Sequence, residues 1–137
     1  MSGSRSARFA KTVFVWLPAL FLAFVFFLQG AAKFSDSSGW AVAFRHWGYP
    51  DWFRFTVGFV ELLAGALLVL RRTAPVGALL VILLMIGGIG THIVAGDPRK
   101  FTSELGPIVV ATIVLATRRR ELRQVLQWGA AGAILGG

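Results

Sequence analysis

The chain has 137 residues, of which 56% are hydrophobic and only 15% charged, and its mean hydropathy is +0.72. A soluble domain carries about 25% charged and about 45–50% apolar residues, so composition excludes an ordinary water-soluble domain. The net charge of +8 raises nucleic acid as a partner. Most basic residues, however, sit at the ends of apolar runs and not on an aromatic-interleaved face, so no nucleic acid is expected. The absence of cysteine removes disulfides, thiolate metal sites and thiol–disulfide chemistry within the chain. What remains is a small integral membrane protein.

Four apolar runs are expected to cross the bilayer, at residues 12–33, 52–70, 74–96 and 101–117. The first offers roughly 21 uncharged residues between Lys11 and Lys33, or about 31 Å of helix, which matches a hydrocarbon core. The fourth is the weakest. Residues 105–117 give only about 20 Å, so the span has to begin near Phe101. Pro107 suits its first turn, Thr102 or Ser103 can cap it, and Glu104 favours the positive end of its dipole. Arg5, Arg8 and Lys11 ahead of an apolar run ending in Gly30-Ala31-Ala32 also resemble a cleaved signal peptide. The run is longer than the usual h-region of about 7–15 residues, which favours a retained span.

Charge then sets orientation. Arg5, Arg8, Lys11, Arg71, Arg72, Arg118, Arg119, Arg120 and Arg123 collect on one side, whereas Lys33, Arg45, Arg54, Arg99 and Lys100 are mixed with acids on the other. The expected architecture is therefore all-α, an integral membrane four-helix bundle in the inner (plasma) membrane with both termini cytoplasmic. Residues 1–11 and 118–137 form basic cytoplasmic segments and residues 34–51 an outer loop. The short turn Arg71-Arg72-Thr73 forces the second and third spans into an antiparallel hairpin. Within the loop, Trp40-Ala41-Val42-Ala43-Phe44 is expected to form a short surface helix between two turns. Trp16, Trp40, Trp47, Tyr49 and Trp52 fit interfacial anchoring or packing on their own helices. The tail reads either as an interfacial helix carrying Leu122, Val125, Leu126 and Trp128 or as a frayed end.

Ionisable groups at membrane depth cost about 2.5–3.5 kcal/mol on insertion scales, so they face protein or water. Glu61 lies nine residues beyond Trp52, with Gly58 at i−3, Gly65 at i+4 and Arg54 at i−7 on one helical face. Glycines on a membrane helix mark close contact with another helix, so Glu61 is expected to point into the bundle. His92 follows Gly88 by one turn, and Gln29 precedes Lys33 by one turn. Converging faces would give a polar pocket of Gln29, Lys33, Arg54, Glu61 and His92, with Gly58, Gly65 and Gly88 packing beside it. Glu61 lies deeper than Lys33 or His92, so water or the long side chains of Lys33 and Arg54 would have to bridge the gap.

Plainer readings stand beside these. Glu61 can be a structural clamp with a cation, Lys33 a snorkelling end residue, and His92 a partner of a loop carbonyl. Arg45 and His46 read as solvated loop residues. The two histidines have nothing that enforces haem ligation, and no metal site is expected. No phosphate loop or serine-nucleophile motif is present, and Gly87-Gly88-Ile89-Gly90 reads as helix packing.

Gly30-Ala31-Ala32-Lys33-Phe34 is similar to the GxxK-aromatic motif of DoxX-like membrane proteins. Gly48-Tyr49-Pro50, followed by Gly58-Phe59-Val60-Glu61-Leu62-Leu63-Ala64-Gly65, resembles that family's second-helix G-x-x-E-x-x-x-G pattern, and Met85 with Thr91-His92 also fits. The resemblance covers roughly residues 17–117. It implies a four-helix inner-membrane protein associated with redox or oxidative-stress complexes, with Lys33, Glu61 and His92 as a shared polar site. Relatives include the DoxD-type subunit of thiosulfate:quinone oxidoreductase and distant vertebrate proteins of receptor assembly. A thiol redox role would need a redox partner protein, because this chain has no cysteine.

Two functions follow as expectations. In the first, a quinone enters the pocket, Glu61 and His92 exchange protons with its oxygens, and Lys33 or Arg54 stabilises the anion. In the second, the chain is a non-catalytic membrane anchor, scaffold or assembly subunit, whose basic face meets anionic lipid of the bilayer. A transporter would require a homo-oligomer to enclose a pathway. Whether the chain is an enzyme stays open.

Overall fold

The computed structural model describes residues 2–97 and 102–135. Arg99 and Lys100, counted in the charge balance, and Phe101, the expected start of the fourth span, lie outside the described residues. Six helices follow in chain order: α1 (Ser2–Ala32), α2 (Gly39–His46), α3 (Asp51–Val69), α4 (Ala74–Val94), α5 (Thr102–Thr117) and α6 (Arg119–Leu135), with no strand among the described residues. Three of them, α1, α3 and α4, are long and apolar enough to cross a membrane. The apolar helix α5 has 16 residues, about 24 Å of rise.

Helix α1 begins ten residues ahead of the expected span. Its basic segment continues the same helix, with Arg8 Nε donating to the Ser4 carbonyl at 3.1 Å and Thr12 Oγ1 to the Arg8 carbonyl at 3.0 Å. Arginine, lysine and alanine are good helix formers, so nothing in this segment breaks the run. The short loop helix is α2, closed by Gly48 at φ 79°, and α4 is closed by Gly96 at φ 76°. Both glycines hold the left-handed conformation that ends a helix without steric cost. The tail is also helical, as α6, with Leu126, Trp128 and Ile134 exposed on it.

Helix α1 packs on α3, α3 on α4, α4 on α5, and α5 back on α1. Ala19, Leu22, Ala23 and Phe26 of α1 meet Ala64, Leu68, Ala78, Val81, Ala111 and Val114 of the other three in one buried cluster. Small residues let the backbones approach. A Cβ built at Gly30 would lie 2.8 Å from the Gly58 carbonyl oxygen, one at Gly58 2.9 Å from Lys33 Cβ, and one at Gly77 2.9 Å from the Ala64 carbonyl oxygen. The α1–α3 seam is thus nearly backbone on backbone along the half nearest α2, and the α3–α4 seam is equally tight near its turn.

At the turn end, Arg118 is buried, its Nη1 donating to the Arg71 carbonyl at 3.2 Å and its guanidinium lying 4.3 Å over the Trp16 ring. One cation there joins α1, the α3–α4 turn and the α5–α6 junction.

A methyl group at Gly30 or Gly58 has to push α1 and α3 apart. Gly30→Ala and Gly58→Ala are each expected to cost about 1–3 kcal/mol, seen as earlier thermal unfolding in detergent. Gly106→Ala, whose Cβ meets open space, should leave the transition in place or raise it. Equal losses at all three positions would contradict the close α1–α3 approach.

Candidate functional site

The centre of the half nearest α2 is a buried ion pair. Lys33 Nζ lies 2.9 Å from Glu61 Oε1 and 2.7 Å from Oε2, and the two residues are 2% and 5% exposed. The expected offset in depth is about one turn. Lys33 follows the last turn of α1, and its Cβ packs against Gly58, one turn before Glu61. The long side chain of Lys33, one of the bridges expected, spans that turn and touches the carboxylate directly, while Arg54 takes no part.

Arg54 is fully buried but serves elsewhere. Its Nη1 donates to the carbonyls of Lys33 at 2.6 Å and Ser35 at 3.2 Å, and its Nη2 to Asp36 Oδ1 at 2.7 Å. It fastens the backbone that links α1 to α2. The pocket expected from sequence therefore loses Arg54, which holds Lys33 by the main chain without facing the cavity. Gly58 and Gly65 lie in the α1–α3 seam and not on the cavity wall, with a Cβ at Gly65 meeting the Ala23 carbonyl oxygen at 3.2 Å.

A second acid–base pair faces the first across the same cavity. His92 is 8% exposed, and its Nε2 lies 3.7 Å from Glu104 Oε1. That is an ion-pair distance, too long for a hydrogen bond. Gly88 makes room for this carboxyl, since a Cβ there would lie 3.2 Å from Glu104 Cδ. His92 thus meets a carboxylate where a loop carbonyl was the plain expectation. Glu104 escaped the sequence reading because an acid in the first turn of a helix also satisfies the dipole. Its position opposite Gly88 and His92 is a tertiary fact.

The cavity between these pairs has a volume of about 750 Å³, within the usual range for small-molecule sites of about 300–1,000 Å³. Apolar side chains of α3 and α4, among them Val57, Val60, Leu84 and Met85, form much of its wall. Its cover comes from α2 and the following turn. Trp40 lies 3.8 Å from Lys33 Nζ and donates Nε1–H to Gln29 Oε1 at 3.1 Å. Trp47 stands edge-on to His92 at 5.2 Å between ring centres. Tyr49 OH donates to Thr91 Oγ1 at 3.0 Å, since the Thr91 proton is given to the Gly87 carbonyl. Of the two readings open for these aromatics, interfacial anchoring or packing on the chain's own helices, the structure shows the packing. Arg45 and His46 are exposed and stay outside the cavity.

The arrangement offers two cations or proton donors and two carboxyl groups around an apolar, aromatic-covered space. Such a set suits a small, largely apolar molecule carrying a few polar groups. Among the described residues no three His, Asp or Glu side chains converge as a metal set would.

A sequence model of the DoxX-like family matches residues 17–117. The uncharacterized protein YwoB of Bacillus subtilis (strain 168) is 33% identical over 94 residues, covering 56% of this chain and 61% of that protein. The chain thus spans about three fifths of the length of the curated relative it matches. No solved structure matches.

Removing one member of a buried pair strands the other, at about 3–5 kcal/mol, whereas replacing both with apolar groups is often mild. Lys33→Met and Glu61→Leu should therefore each lower the unfolding temperature strongly, and the double variant should be milder than either. Additive losses in that cycle would show that the two groups do not depend on each other.

Proposed function

The chain belongs to the DoxX-like family, and on that footing we propose that its cavity is a quinone-class binding site serving membrane redox chemistry. The observation that carries this reading is the meeting of one buried and one partly buried acid–base pair with an aromatic cover in one space of about 750 Å³. The helices α1, α3, α4 and α5 act as a four-helix bundle of the inner (plasma) membrane, with the Lys33–Glu61 end outward and both termini cytoplasmic. Arg118 supports that orientation, because it draws together the segments bearing Arg71, Arg72, Arg119 and Arg120 at the opposite end.

In this reading the ring sits beneath Trp40 and Trp47. Lys33 and Glu61 meet one ring oxygen, and the His92–Glu104 pair meets the other. Reduction of a quinone to its quinol takes up two electrons and two protons. The electrons come from a redox partner protein, since this chain has no thiol, and the protons pass through the carboxyl and imidazole groups. Lys33 lowers the energy of the anionic oxygen formed on the way.

The second reading, a non-catalytic anchor or assembly subunit, draws on one observation. Lys33 and Glu61 already satisfy each other at 2.7–2.9 Å, as a clamp that fixes helix register would.

Native mass spectrometry of protein extracted gently from its own membrane separates the two. The quinone reading predicts an added mass matching a quinone, retained by wild type and lost in Glu61→Gln and in Glu104→Gln. Wild type that carries phospholipid alone, or no small molecule, would overturn it in favour of the anchor.

A further inference from the structure

The route into the cavity is written in which of its walls are also outer surface. Four lining residues are exposed: Gln29, Leu83, Gly87 and Ser103. Gln29 and Ser103 stand near the outer helix ends. Leu83 and Gly87 do not. Leu83 lies nine residues from Ala74 along the 21-residue α4, about 14 Å up the helix and so near mid-bilayer depth. It is 64% exposed while lining the cavity, and a Cβ at Gly87, one turn further out, meets nothing within 4 Å.

The helices explain why an opening forms there. Near their turn α3 and α4 are locked, with Gly77 against Ala64 and Leu68. Further out the facing residues are Val57 and Val60 on α3 and Leu80, Leu84 and Gly87 on α4, all of which line the cavity. Outer-half space between them is therefore continuous with the protein's apolar flank. On the aqueous side, by contrast, Trp40, Trp47 and Tyr49 are each tied to a helix or to a buried side chain.

We infer that the cavity is loaded sideways from the bilayer through the α3–α4 gap at Leu83 and Gly87, and that its ligand is a lipid-dissolved molecule with a polar ring head and a long apolar tail. The head reaches the Lys33–Glu61 and His92–Glu104 pairs, and the tail trails past Gly87 into the hydrocarbon. This inference rests on the quinone reading but adds the tail and its path.

Gly87→Leu fills the gap without disturbing a neighbour, and Gly106→Leu, also in open space and away from the cavity, is the matched control. The measurement is quenching of the tryptophan fluorescence of purified full-length protein in lipid nanodiscs. Two probes are used, a naphthoquinone bearing a long isoprenoid tail and the same ring without a tail. Crowding by an added side chain is worth about 1–3 kcal/mol, so Gly87→Leu should weaken binding of the tailed quinone about tenfold or more. The tail-less ring should bind Gly87→Leu like wild type, and Gly106→Leu should bind both normally. Unchanged tailed binding in Gly87→Leu, or equal loss of both probes, would overturn the lateral route while leaving the quinone site standing. Failure of either quinone to quench wild type would overturn the site itself and the route with it.

Discussion

Two opposite charges buried among apolar helices organise the half of this protein that lies nearest α2. Alone, Lys33 or Glu61 would be a costly intrusion into a hydrocarbon-facing fold. At 2.7–2.9 Å they neutralise each other, and each then dictates where its neighbours lie. Lys33 sits at the exit of α1, so the pair fixes that exit against the middle of α3. The chain leaving it is gripped by Arg54 through the Lys33 and Ser35 carbonyls. Trp40 of α2 closes over the ammonium group. Cover, ion pair and helix seam are one unit, and the cavity is the space that this unit leaves open towards α4 and α5.

That contact is possible only because the backbones come close. Gly30 and Gly58 remove the side chains that would otherwise hold α1 and α3 apart. At the far end of the molecule the solution differs. Arg118 is held there by one carbonyl and an aromatic face. Tight packing near the α3–α4 turn and separation further from it give the structure a closed half at that turn and a hollow half beside α2.

Much of this was legible in the chain. The apolar runs located α3 and α4 to within two residues at each end, and the i−3 and i+4 glycines around Glu61 marked the face that meets α1. Periodicity shows which residues share a face, but not which residue of another helix stands opposite. The depth count therefore left open whether water, Lys33 or Arg54 bridges to Glu61, and the close approach at Gly58 lets Lys33 do so alone. Arg54 fell on the same stripe as Glu61, yet its long side chain turns back to the loop carbonyls, where it finds acceptors that a stripe diagram does not contain. Glu104 was masked by an ordinary helix-terminus role, and the aromatic loop was open to interfacial anchoring as much as to packing. In both cases local chemistry was satisfied by the plainer reading, so only the tertiary arrangement distinguished them.

The most direct test of the central claim is amide hydrogen exchange of wild type and Glu61→Gln in nanodiscs, read by mass spectrometry along the chain. If the Lys33–Glu61 pair holds this unit together, Glu61→Gln should speed exchange in residues 30–50, while protection around the α3–α4 turn stays as in wild type. Unchanged exchange in residues 30–50, or a uniform loss across every helix, would contradict a pair that organises the half nearest α2.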